Sequence, residues 1–105
     1  MDPRADAAKV FVADLRRRVD DLRRLPAGRW RGRREAVREV VQRWADLGAD
    51  LEGEPRRAVP RLDGDPPLAD QLAVVGDDLA RAATDAPGGA DVLRAASADL
   101  ERLGA

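Results

Sequence analysis

Four times along this chain, apolar residues return at alternating steps of about four and three, and Pro or Gly follows each series. Such steps come back to one side of a helix, whereas a strand would alternate at every second residue. The first series is Ala8, Val12, Leu15, Val19 and Leu22, with Phe11 beside it. Asp2-Pro3 offers an N-cap and a proline in the first turn, and Pro26 and Gly28 end the series, so the spacing predicts a helix over 3–25. Trp30, Val37, Val40, Val41, Trp44, Leu47 and Leu51 predict a second helix over 30–52, closed by Gly53 and Pro55. Arg33 falls where that stripe wants an apolar residue and weakens its first turn. Leu68, Leu72, Val75, Leu79 and Ala82, after Asp65-Pro66, predict a third helix over 66–84. Leu93, Ala96, Leu100 and Leu103 predict a fourth over 90–103. Gly76 interrupts the third stripe at a cost of about 1 kcal/mol relative to Ala, which a close helix crossing would offset.

The expected fold is therefore all-α: a single domain over 1–105, a small four-helix bundle of two helical hairpins. The short connection 26–30 predicts that helices one and two pack together as an antiparallel hairpin. Residues 85–89 form the second turn. The Pro-rich loop 53–65, continuing through Pro66 and Pro67, joins the halves, with Val59 and Leu62 as candidate anchors to the core. Its length leaves the direction of helix three relative to helix two open.

Composition narrows function by exclusion. The chain has no Cys, His or Tyr, one Ser and one Thr, so a disulfide, a zinc finger, a His general base and a Ser-His-Asp triad are all unbuildable. No apolar run reaches the roughly 18 residues a membrane span needs, and Met1-Asp2-Pro3-Arg4 lacks the layout of a secretion signal. A cytoplasmic protein is expected. Arg outnumbers Lys 18 to 1, and Val replaces Ile entirely, a bias that a GC-rich bacterial genome would produce.

The net charge of −1 conceals a polar molecule. Residues 1–44 carry 13 basic and 7 acidic side chains, and residues 45–105 carry 6 and 13. The densest basic segment holds Arg23, Arg24, Arg29, Arg31, Arg33 and Arg34 around Trp30, with no acid among them. One reading makes this a candidate interaction patch, with arginine forks for phosphate and Trp30 for base stacking. The other lays these arginines against Asp70, Asp77, Asp78 and Asp85 of helix three as ordinary surface pairs. Arg16-Arg17-Arg18 lies off the first stripe and is expected on a solvated flank.

Carboxylates are the remaining source of chemistry. Asp63-Gly64-Asp65 faintly suggests a metal loop, but Pro66-Pro67 and the absence of a later Glu do not fit an EF-hand, and Asp65 is more simply an N-cap. Asp70, Asp77 and Asp78 could meet Asp46 and Asp50 around Mg²⁺ as a carboxylate-metal hydrolase. Asp70 and Asp77 lie off the apolar line, as solvent-facing residues do. The expectation is thus a non-catalytic interaction or self-association module, with no catalytic, cofactor or metal residues. Its partner would be a second copy, as a homodimer, or another protein. Nucleic-acid or phosphate binding through 23–34 is the alternative, and a membrane is not expected.

Overall fold

The computed structural model describes residues 2–62 and 64–104, with the backbone alone at 65 and 66. The helices are α1 (Pro3–Arg24), α2 (Ala27–Trp30), α3 (Arg34–Glu52), α4 (Asp65–Thr84) and α5 (Gly89–Gly104). No strand occurs among the described residues, and no helix there is long and apolar enough to cross a membrane. The chain is all-α, as the stripes predict. Asp2 Oδ1 accepts from Arg4 N at 2.9 Å, the expected cap on α1. Gly53 turns left-handed at φ +70° to stop α3, and Glu54 N donates to Ala49 O at 2.8 Å.

The second helix departs from its expected start. It begins at Arg34 rather than 30, behind the single turn of α2. Pro26 O accepts from Arg29 N and Trp30 N, and Arg33 N donates to Trp30 O at 2.9 Å, so the chain turns once before α3 starts. Trp30 is buried, and its indole N–H donates to Leu22 O at 3.0 Å. That carbonyl lies in the last turn of α1 and also accepts from the C-cap Leu25 N at 3.2 Å. Burying the indole there is what separates α2 from α3.

Neighbouring contacts fix the direction of each helix. Arg23, near the end of α1, meets Asp70, near the start of α4, so these two are antiparallel. Leu51 and Glu52 at the end of α3 share one concavity with Arg81, Ala82 and Asp85 at the end of α4, so α3 and α4 are parallel. Arg33 reaches Leu103 O at 2.6 Å, which sets α5 antiparallel to α3 and parallel to α1. The order is up, down, down, up, with one long crossover. That crossover runs back along α3. Gln42 Nε2 donates to Arg57 O at 3.1 Å, its Oε1 accepts from Val59 N at 2.9 Å, and Arg61 pairs with Glu35 at 2.7 Å near the start of α3. Val59 packs against the core, but Leu62 is exposed and anchors nothing.

The closest pairs are α3 with α4, α1 with α4, and α1 with α5. The first two long helices, expected to pack as a hairpin, are not among the closely packed pairs. α1 and α3 occupy opposite corners, and they meet only through side chains that reach across the interior. Phe11 and Trp44 sit edge to face, ring centroids 5.2 Å apart. Gly76 makes room for this: a Cβ on it would come within 2.6 Å of Leu15 Cδ2 and 3.0 Å of Trp44 Cζ3. The close crossing invoked for Gly76 is thus present. α5 supplies a polar partner, because Trp44 Nε1 donates to Asp99 Oδ2 at 3.0 Å. Asp99 is only 3% exposed, and Arg43 and Arg102 both pair with it.

Two substitutions test this packing. Gly76→Ala gains helix propensity of about 1 kcal/mol but forces Leu15 and Trp44 aside, at about 1–3 kcal/mol. The expected result is a lower urea midpoint followed by Trp fluorescence, and Gly76→Val should fall further. An Ala variant more stable than the parent would contradict the contact. Asp99→Leu leaves the Trp44 N–H buried without an acceptor and should cost about 2–3 kcal/mol. Asp99→Asn keeps an acceptor, and in the same denaturation assay it should lose less than half as much.

Candidate functional site

The basic segment folds so that its arginines part company. Arg23 donates to Asp70 Oδ1 through Nε at 3.2 Å and Nη2 at 2.5 Å, and Arg24 lies 3.9 Å from Asp21. Arg33 is half-buried on Leu103 O. Arg29 and Arg31 are exposed and make no ion pair or side-chain hydrogen bond among the described residues. Arg34 is half-buried and partnered. Trp30, expected as an exposed stacking surface in one reading, is sealed in the core and offers no face to a base. The expected patch therefore reduces to Arg29 and Arg31 on the tip of a short turn. Of the four acids proposed to oppose the segment, only Asp70 does so. Asp78 pairs with Arg81 on its own helix.

Arg18 has a role that its place in an Arg triplet conceals. Its Nε donates to Leu100 O at 3.1 Å, and its guanidinium lies so close to Gly104 that any side chain there would collide. With Arg33 on Leu103 O, two cations from the basic half close the carbonyl end of α5. Arg16 and Arg17 remain on the solvated flank, as expected. Sequence carries no signal for these caps, because α5 has Arg102 in its own last turn, and only in the fold does that side chain pair with Asp99 instead. Which distant arginine supplies the bond depends on topology.

Among the described residues, no group of three or more carboxylates is placed to hold a metal ion. Asp46 accepts from Gln42, and Asp50 pairs with Arg56 through two hydrogen bonds at 3.0 and 2.7 Å. Asp63 and the Asp65 side chain lie outside the described residues, and the N-cap position of α4 is Gly64. The Arg56 guanidinium holds the Asp50 carboxyl below its ordinary value of 3.8, and Asp50 in turn raises Arg56. Both groups are exposed, so the pair steers the start of the crossover loop and does not hold the fold together.

Charge also separates along the bundle axis. With two helices running each way, the macrodipoles oppose one another at both ends, so the difference comes from side chains. Arg23, Arg24, Arg29 and Arg31 gather where α1 ends and α3 begins; Asp50, Glu52, Glu54 and Asp85 gather at the other end.

A groove of about 550 Å³ opens between the first half of α1 and the second half of α4. Ala8, Val12 and Ala80 form its apolar floor, and Lys9, Arg16 and Asp77 stand among its lining residues. The helices are joined at the other end of the seam by Arg23 and Asp70. Here the facing side chains are small and leave a cleft. Comparison with family models, with curated proteins and with solved structures finds no match to this chain.

The Asp50–Arg56 pair gives a pH prediction with a definite sign. A folded carboxyl whose pKa is depressed contributes stability above its unfolded value and loses it as pH falls through the folded one. In an NMR titration the Asp50 carboxyl should turn below 3.8 and return to that value in Arg56→Ala. An unchanged midpoint in the variant would remove the pair as its cause.

Proposed function

We propose that this protein is a non-catalytic helical-bundle module that works by binding, either to a second copy of itself or to another protein, through its helix faces. The observation that carries this reading is the open α1–α4 groove, with its half-buried apolar floor beside charged side chains. Several of the polar groups serve the structure. Asp99 accepts from Trp44, Trp30 closes α1, Gln42 holds the crossover, and Arg18 and Arg33 close α5. The absence of Cys and His leaves little else for catalysis to use. A cytoplasmic setting in a GC-rich bacterium belongs to the same proposal.

Nucleic-acid binding is the second reading, favoured by one observation: Arg29 and Arg31 are exposed and unpaired among the described residues. It predicts affinity for a short duplex that falls steeply with salt and is lost in Arg29→Ala/Arg31→Ala. No binding at about 50 mM salt would dismiss it.

Lys9, the sole lysine, sits on the groove, so an amine-reactive cross-linker applied to cells reports directly on this surface. The expected product is an intermolecular adduct through Lys9, identified by mass spectrometry and absent from Val12→Asp that remains helical. Lys9 that reacts readily yet forms no intermolecular adduct would overturn the module reading.

A further inference from the structure

The α1–α4 seam has a regular charge pattern that the folded register brings into view. Arg23 pairs with Asp70 at 2.5 Å. One step of seven residues along each antiparallel helix leads to Arg16 and Asp77, and the next leads to Lys9 and Thr84. All four line the same groove. One wall of the seam therefore carries a basic row on α1, and the other carries Asp70 and Asp77 of α4, with Arg81 beside them held by Asp78. Only the Arg23–Asp70 step closes as an ion pair; Lys9, Arg16 and Asp77 make none among the described residues. Val74, at 59% exposure, stands on the α4 wall between Asp70 and Asp77.

We propose that this seam is the contact face of a homodimer, related by a two-fold axis running along it. This rests on the module reading above and names its partner as a second copy of the chain. A two-fold in that direction lays α1 of each copy over α4 of the other at unchanged height. Arg16 of one copy then faces Asp77 of the other, the same pair forms again in reverse, and the apolar floors close over each other. An isologous contact must be complementary to itself, and a seam that sets Arg16 and Asp77 at one height on opposite walls is. A partner of one charge sign fits worse. An acidic helix would meet Asp70 and Asp77, and a basic one would meet Lys9, Arg16, Arg23 and Arg81. A standard interface covers about 800 Å² per copy, which is a modest share of the 6378 Å² surface, and α1 alone offers about 33 Å of length.

Charge exchange tests the arrangement in the full chain. Analytical ultracentrifugation from about 1 to about 200 µM should show the 11.4 kDa chain passing to twice that mass. Arg16→Asp and Asp77→Arg, at exposed positions and checked by circular dichroism, should each weaken dimerisation about tenfold or more. Mixing the two single variants should restore a one-to-one dimer, since both cross-pairs are then opposite in sign. A parent chain that stays monomeric throughout overturns the proposal, as do single variants that dimerise normally or a mixture that does not associate. A monomer whose Lys9 still cross-links to a different protein in cells would reject the second copy and leave the module reading intact.

Discussion

Trp44 is where all four long helices meet. Its ring fills the low point that Gly76 leaves on α4, lies against Phe11 and near Leu15 of α1, and donates its one N–H to Asp99 of α5. α1 and α3 stand at opposite corners, and only a side chain of this size reaches between them. Removing a Cβ at residue 76 and supplying a buried acceptor at residue 99 are both answers to one bulky, amphipathic ring. A smaller residue at 44 would leave a void that the two corner helices could not close by themselves.

The carboxylate chosen as that acceptor brings its own cost, because a buried charge needs more than one partner. Arg43 and Arg102 supply them from α3 and from the next turn of α5. This is one case of a wider habit in the molecule. Arginine, abundant here, closes helix ends and buried acceptors over long sequence separations, as Arg18 and Arg33 do for α5. Its planar fork of donors and long apolar stem suit both tasks. Much of the basic excess of the first half is thereby drawn into the architecture. What stays outside is a smaller set of charges, placed at the bundle tip and along the α1–α4 seam.

The parallel α3–α4 pair explains the long proline-rich connection. A tight turn would have reversed the chain, whereas the connection, followed over residues 54–62, runs back along α3 toward its start. The Gln42 amide reads the loop backbone from both sides, donating to Arg57 O and accepting from Val59 N. Prolines in the loop reduce the freedom lost on ordering it. The connection is therefore a structural strap, held among the described residues by the amides of Gln42 and Gln71, the latter donating to Pro60 O, by one half-buried valine and by two exposed ion pairs.

Local signals set the helices. The three-four spacing, Asp2-Pro3, Gly53 and the turn at 85–89 act within a few residues, so they are readable in the chain, and each long helix except α3 begins and ends within a residue of its expected place. Leu93, Ala96, Leu100 and Leu103 are buried as their spacing implies. The break after Trp30 was visible only as the misfit of Arg33, because the acceptor that draws the indole inward, Leu22 O, belongs to another helix. Partnership between helices could not be read in the same way. Connection length favours packing of α1 on α3, yet burial of Trp44 and the long crossover place α4 between them. The candidate surfaces divide in the same way: Trp30, at the head of the second stripe, is sealed as that stripe implies, while the facing charges at 9, 16, 70 and 77 have no meaning until two helices remote in sequence lie antiparallel. Spacing along a chain governs which side of a helix is apolar; which helix covers that side depends on shape and hydrogen-bonding partners distributed over the whole fold.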